Sequence, residues 1–287
     1  RLAAATHLAA PADWRVRSPE TIAGVARRGP DTGLVPDRLT LSPSQADAYR
    51  SCPRRYALER RLLIDDGGSI HAELGSVVHA VLESVERSAH DRGDDRGSLD
   101  AALVDLDARW EPGRFGGGEW ARAWRDRAAE ILENLYTFWP GSGSLVDVEI
   151  PVDLERNEVR WSGRIDRVER TADGLVVVDY KTSRTATSVA EAAVSLQLGF
   201  YVLAAEQMLG EPVVGAEFWY PAALLKRGIT TRAFDTDRLD EVEEALDTAA
   251  RGIAQERWDP QPSADCERCS VRWVCPAWPE GQEAFSR

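Results

Sequence analysis

Lysine is almost missing from this chain. Of its 35 basic residues only Lys181 and Lys226 are lysine, and the other 33 are arginine. Methionine is scarcer, with Met208 alone, and the first residue is Arg1, so the chain is expected to be a piece of a longer polypeptide. No run of about 18 uncharged apolar residues is present, which predicts no membrane span. A charged-then-apolar secretory pattern is missing from the amino terminus. Neither lysine follows a G-x-x-x-x-G, so the chain has no P-loop, and any ATP-driven motor must lie elsewhere. Basic charge is also in deficit: 35 basic against 48 acidic residues give a net charge of −13. That balance argues against a nucleic-acid binder unless basic residues are gathered locally, because phosphate contacts need a basic footprint.

What is present suits a soluble globular domain. The 287 residues are 43% hydrophobic and 29% charged, enough to bury a substantial core without disulfides. Residues 1–38, with Pro11, Pro19, Pro30 and Pro36, show no sustained periodicity and read as a linker or packing arm from a preceding domain. Ser42-Pro43-Ser44-Gln45 is a helix start, with a serine N-cap and proline at the first helical position. Helical patterns follow at about 54–63, 72–90, 99–110 and 119–138. Near Leu145 the period changes. Strands are expected at 145–154, 158–169 and 174–181, then a helix at 188–208, strands at 212–220 and 228–234, and a helix at 237–256. A helical first half followed by β-β-β-α-β predicts an α/β fold with a mixed sheet.

The most informative segment is Ser162-Gly163-Arg164-Ile165-Asp166 with its partner Val177-Val178-Asp179-Tyr180-Lys181. Asp173-Gly174 between them suits a two-residue hairpin turn. That turn would set Asp166 opposite Lys181 and Val168 opposite Asp179, with Asp166, Asp179 and Lys181 on one face. Asp166 and Asp179 would then be diagonal neighbours roughly 7–8 Å apart, near enough to share a hard cation. Asp179 ends a Val-rich run typical of a strand buried on both faces, where a carboxylate is costly without compensation. A metal or a lysine would provide it, and so would simple exposure at the strand end; spacing alone leaves these open.

The ordered set G-R-I-D, ending at Asp166, and D-Y-K, starting thirteen positions later at Asp179, resembles the PD-(D/E)xK nucleases of the RecB/AddB type. Gly75-Ser76-Val77-Val78-His79-Ala80-Val81-Leu82-Glu83 is similar to that family's upstream G-x-x-x-H-x-x-L-E helix, and Gln197-Leu198-Gly199-Phe200-Tyr201 to its Q-x-x-x-Y motif. The resemblance covers roughly residues 39–280 and implies a restriction-endonuclease-like core. It implies His79, Asp166, Asp179 and Tyr180 as Mg²⁺ or Mn²⁺ positions, and Asp166, Asp179, Lys181, Gln197 and Tyr201 as catalytic ones. Lys181 would add a compact point charge that arginine cannot replace.

Cys266, Cys269 and Cys275 form a compact cluster, and Cys52 lies 214 positions before its first member. Two disulfides, four unrelated thiols, zinc and an iron–sulfur centre are the alternatives; the close spacing favours a metal centre, and zinc more often uses two local C-x2-C pairs. One distant cysteine plus three near the end resembles the 4Fe–4S site of AddB-type nuclease domains. Such a site would close residues 39–287 into one domain.

Between Tyr49 and Arg61 five arginines face one acid, Glu59. Arg50, Arg54, Arg55 and Tyr56 are therefore candidate DNA contacts, by phosphate pairing and base stacking. Taken whole, the resemblance implies a DNA exonuclease domain of a bacterial helicase–nuclease, of the actinobacterial AdnA/AdnB type. It would act in the cytoplasm on mainly single-stranded DNA, alongside a helicase domain of the same polypeptide and a second subunit, in double-strand-break processing. The alternatives are a stand-alone iron–sulfur exonuclease of the CRISPR-adaptation type and an inactive iron–sulfur DNA-binding module.

Overall fold

The computed structural model describes residues 33–36, 38–64, 69–279 and 281, so nearly all of the expected linker at 1–38 lies outside the described residues. Six strands form one mixed sheet: β1 (Leu39–Leu41), β2 (Ser144–Arg156), β3 (Val159–Arg170), β4 (Leu175–Tyr180), β5 (Val213–Leu225) and β6 (Gly228–Ala233). Their order is β1-β3-β4-β5-β6, with β2 paired antiparallel to β3. Strand β1 runs parallel to β3 at Val159–Trp161, while β4 pairs antiparallel with its far end, Arg167–Arg170. Residues 162–166 of β3 are left between those two partners, and Asp166 occupies the end of that gap.

Alternation along the strands divides the core in two. Val177, Phe218 and Tyr220 face one layer, made of α1 (Pro43–Ser51), the short α2 (Pro53–Tyr56), α7 (Leu196–Leu209) and α8 (Leu239–Ala254). Val178, Tyr180 and Trp219 face the other, made of α3 (Ile70–Arg92), α4 (Leu99–Arg109) and α5 (Gly118–Thr137). In that second layer Arg167, fully buried, pairs with Glu86 and Glu169 at 2.8 Å each and lies over Trp139. These buried charges satisfy one another and tie α3 to the sheet.

Ser42 caps α1 as expected, accepting from the Gln45 amide with Pro43 at the first helical position. The arginine-rich segment expected as one helix at 54–63 is instead α2 followed by a π-helical turn, Ala57–Arg61. The helix expected at 188–208 is broken at Ala193–Ser195 into α6 (Val189–Ala192) and α7, because Ser188 and Ser195 each cap a new start. The stretch Val189–Leu209 is long and apolar enough by composition to cross a membrane. Here it is interrupted and α7 packs its buried face on the sheet.

The β3–β4 register departs from expectation by two residues. The turn is the four-residue Thr171–Gly174, closed by the Thr171 amide donating to the Gly174 carbonyl, and Arg167 pairs with Val178. Gly174 has φ 147°, and a Cβ there would lie 2.7 Å from Val214. One more step along this register sets Asp166 across from Asp179, directly rather than diagonally. A slip of two keeps every side chain on its face, so the convergence survives the error.

Candidate active site

Four elements bring the predicted residues together. β3 supplies Asp166, β4 supplies Asp179 and leads into Lys181, α3 supplies His79, and α7 supplies Gln197 and Tyr201. The Tyr180 amide donates to Asp166 Oδ2 at 2.7 Å, and His79 Nδ1 lies 3.5 Å from the same oxygen. Lys181 Nζ lies 2.7 Å from Asp179 Oδ2 and donates to Gln197 Oε1 at 2.7 Å. Gln197 Nε2 donates to Asp179 Oδ1 at 2.7 Å and reaches the Tyr201 hydroxyl at 3.2 Å. Gln197 thus clamps both ends of the Asp179–Lys181 pair. Its i, i+4 partner Tyr201 packs over Gly163, where a Cβ would lie 3.0 Å from the tyrosine ring.

Glu149, which sequence reasoning did not single out, completes a tighter group. Among the described residues, His79, Glu149 and Asp166 each offer a ligand atom within 4.8 Å of the other two. The β2–β3 register, Val148 with Arg167 and Ile150 with Ile165, sets Glu149 across from Asp166. Glu149 has φ 50°, a left-handed conformation unfavourable for a side chain this size, and is 91% buried. Such strain persists where surrounding structure imposes it and is concentrated at functional sites. Its one sequence signal was an acid flanked by Val148 and Ile150 in a strand, too weak to separate it from Asp147 or Asp153.

The electrostatics record crowded negative charge. Burial and the Asp166 charge push Glu149 up to about 7. Burial, then the Asp166 charge, also raises Asp179 above the usual carboxylate range. For His79, burial pulls downward, but the hydrogen bond and charge of Asp166, with Asp179 and Glu149, outweigh it and hold the imidazole at about 9. Asp179 Oδ2 is buried and, despite its contact with Lys181 Nζ, accepts no aligned hydrogen bond. Buried carboxylates with spare lone pairs beside one imidazole form a hard, oxygen-rich donor set, which fits Mg²⁺ or Mn²⁺. Tyr180 fits differently from its neighbours. Its side chain alternates into the opposite core layer, so only its backbone borders the site.

A profile of the PD-(D/E)XK nuclease superfamily matches residues 40–276. The chain belongs to the PD-(D/E)XK nuclease superfamily. Nucleases of this superfamily use divalent metals such as Mg²⁺, in keeping with the donor set. Its restriction-endonuclease-like fold accounts for the six-stranded mixed sheet and its flanking helices. No curated protein matches. Among solved structures, that of SSO0001 aligns at 14% identity over 90% of this chain and 94% of that one, with a TM-score of 0.35, a likeness too low to argue from.

All four cysteines of this superfamily member are free and half-buried, and all four line one cavity of about 120 Å³. The two disulfides considered from sequence are not formed. No three of the sulfurs approach one another within 4.8 Å. Cys52 caps α2, accepting from the Arg55 amide, and Cys266 accepts from the Ser263 amide at 3.3 Å. The segment leading to the three clustered cysteines is held by aromatic packing: Tyr56 stacks on Trp258, and the Tyr49 hydroxyl donates to the Arg257 carbonyl at 2.9 Å.

The expected DNA contacts divide. Arg50 is exposed and borders a cavity that also contains Lys181. Arg54 and Arg55 line the cysteine cavity, and Arg55 pairs with Glu59 at 2.8 Å. Tyr56 is fully buried, its hydroxyl held by Gln45 and Arg61, so the expectation that it stacks on a base does not hold. The run is thus split, with Arg54 and Arg55 beside the cysteines and Arg50 and Arg60 exposed, a division that composition alone does not show.

Proposed function

We propose that this domain is a metal-dependent deoxyribonuclease that hydrolyses phosphodiesters of mainly single-stranded DNA. The convergence of His79, Glu149 and Asp166 beside the Asp179–Lys181–Gln197 clamp carries the reading. His79, Asp166 and Asp179 would hold the ion, with Glu149 as a neighbouring oxygen donor and the Tyr180 carbonyl as a backbone one. The bound ion would acidify water and offset charge on the phosphoryl oxygens. Lys181 would add positive charge beside that phosphate, its ammonium held against Asp179 by Gln197. Tyr201 holds Gln197 in place.

The cysteine cavity supports a 4Fe–4S cluster over zinc. A tetrahedral zinc with sulfurs at about 2.3 Å needs those sulfurs roughly 3.8 Å apart, whereas no three of these four lie within 4.8 Å of one another. Arg54, Arg55 and Arg272 on the cavity wall would balance an anionic cluster. The same reading places the domain in a bacterial, cytoplasmic helicase–nuclease that processes double-strand breaks, with a helicase domain and a second subunit delivering the strand. The resemblance of the ordered motifs is what supports that setting.

The test is cleavage of labelled single-stranded DNA by the anaerobically purified chain. Mg²⁺-dependent cleavage lost in Asp179→Ala is expected. Wild-type protein without metal-dependent cleavage, or cleavage undiminished in Asp179→Ala, overturns the assignment.

A further inference from the structure

A cavity of about 460 Å³ opens beside the loop that follows β4, on the α3–α5 side of the sheet. His71, Trp124, Arg127 and Arg184 line it, together with hydroxyls of the 182–185 loop. Two connections join it to the carboxylate site. The loop starts at the residue after Lys181, and His71, Gly75 and His79 recur every four residues along one face of α3. Gly75 lets the loop approach, since a Cβ there would lie 3.3 Å from Thr182 Oγ1. His71 is therefore about 12 Å along the helix from His79, a span of three to four stacked nucleotides at roughly 3.4 Å each.

The lining is unusual for this chain. In a protein of net charge −13, no carboxylate among the described residues borders this cavity. The cavity on the other flank of Lys181 differs, with Asp47 and Glu191 in its wall beside Arg50. Arg184 is exposed and makes no ion pair among the described residues, while Arg127 pairs with Glu130. Trp124 meets His71 edge to face at 5.1 Å, leaving its indole half-exposed. One turn earlier on α5, Trp120 is 72% exposed. An aromatic ring in a cavity can stack only on an unpaired base, and a guanidinium without a competing carboxylate, as at Arg184, attracts phosphate.

We propose that this cavity is a nucleotide subsite for single-stranded DNA, a few nucleotides from the bond that is cut, with a base stacked on Trp124 and a flanking phosphate held by Arg184. The inference rests on the nuclease reading and adds a direction to it: the strand leaves the carboxylate site along α3 and the 182–185 loop, not past Asp47 and Glu191.

The experiment titrates the full chain with fluorescein-labelled oligo-dT in EDTA, which reads binding without hydrolysis, and then measures Mg²⁺-dependent cleavage of the same oligonucleotide. Loss of one stacking partner, about 1–3 kcal/mol, corresponds to roughly 5–150-fold in affinity. Trp124→Ala is expected to weaken binding about 10-fold and raise KM similarly, with a much smaller fall in kcat, and Trp124→Phe to recover most of the loss. Arg184→Ala, on an exposed loop, should lower the slope of log affinity against log salt by about 0.7. Arg238→Ala, in a surface ion pair with Glu241, serves as the unaffected charge control. Binding and salt slope unchanged in both Trp124→Ala and Arg184→Ala overturn the subsite. If Trp124→Ala does not fold, the Arg184→Ala slope decides. Wild-type binding that shows these losses without any metal-dependent cleavage would overturn the nuclease reading and leave the subsite standing.

Discussion

The carboxylate site and the cysteine cavity are both built from distant parts of the chain, yet they differ in what holds them. The carboxylate site is locked by polar contacts: Gln197 bonds both Asp179 and Lys181, and the Tyr180 amide bonds Asp166. It remains over-supplied with negative charge, since burial and mutual repulsion raise Glu149 and Asp179. The cysteine cavity is held by shape, with Tyr49, Tyr56 and Trp258 clamping the tail and no three of the thiols within 4.8 Å of one another. A site that pays in electrostatic strain is suited to chemistry, whereas one that joins residue 52 to residues 266–275 is suited to stability. Substitutions should separate these roles.

Asp179→Ala is the largest expected break. It should cost about 10²–10³-fold or more in cleavage rate and leave the metal-free melting temperature unchanged or higher, because it removes a strained buried carboxylate. Rate assays and thermal melts in EDTA check both halves, and a large fall in melting temperature would erase the contrast. Cys266→Ala should do the reverse. Loss of a clip closing more than 200 residues is expected to cost about 2–5 kcal/mol, by analogy with a structural disulfide. Iron and sulfide content with urea unfolding measures it; wild-type stability with no iron would show that the cavity is not a clip.

A pH series sharpens the electrostatic half. His79 titrates at about 9 against an ordinary 6.5, so its stabilising contribution is complete below about 6.5 and disappears as pH rises through 9. Glu149 titrates at about 7 against an ordinary 4.5, so holding it ionised becomes costly over that interval. Both signs agree: metal-free stability contributed by this site falls as pH rises. A metal that displaces the His79 proton and neutralises Glu149 relieves the cost, so the rise in melting temperature on adding Mg²⁺ should be larger at pH ~8.5 than at pH ~6. A shift that shrinks with pH would contradict these protonation states. The smallest effect is expected from Tyr201→Phe, roughly two- to threefold in kcat, because it removes one hydrogen bond to a Gln197 that Asp179 and Lys181 still hold. Steady-state kinetics that place it beside Asp179→Ala would make Tyr201 a direct participant.

Much of this was legible beforehand because it is local. The Ser42 cap, the strand series after residue 144 and the shared face of Asp166, Asp179 and Lys181 follow from capping chemistry and a period of two. The exact register was not legible: Asp173-Gly174 suggested a two-residue turn, whereas Thr171 and Gly174 close a four-residue one. Parity protected the conclusion. The two-part helix at 189–209 was missed because serine caps compete with an apolar run, and packing decides which wins.

By itself the sequence determined the chemical inventory, its order and its periodicity: one lysine in Asp179-Tyr180-Lys181, a histidine on a helix, four thiols and an excess of acid. These are properties of neighbours along the chain, set by covalent geometry and short-range hydrogen bonds. Only the tertiary structure decided which groups meet. It turned Glu149 toward Asp166, buried Tyr56 under the tail, drew Arg54 and Arg55 to the cysteines and left a cavity beside Thr182 with no acid among the described residues. Those outcomes depend on how closely separate elements pack, and close approach is settled by the whole core at once.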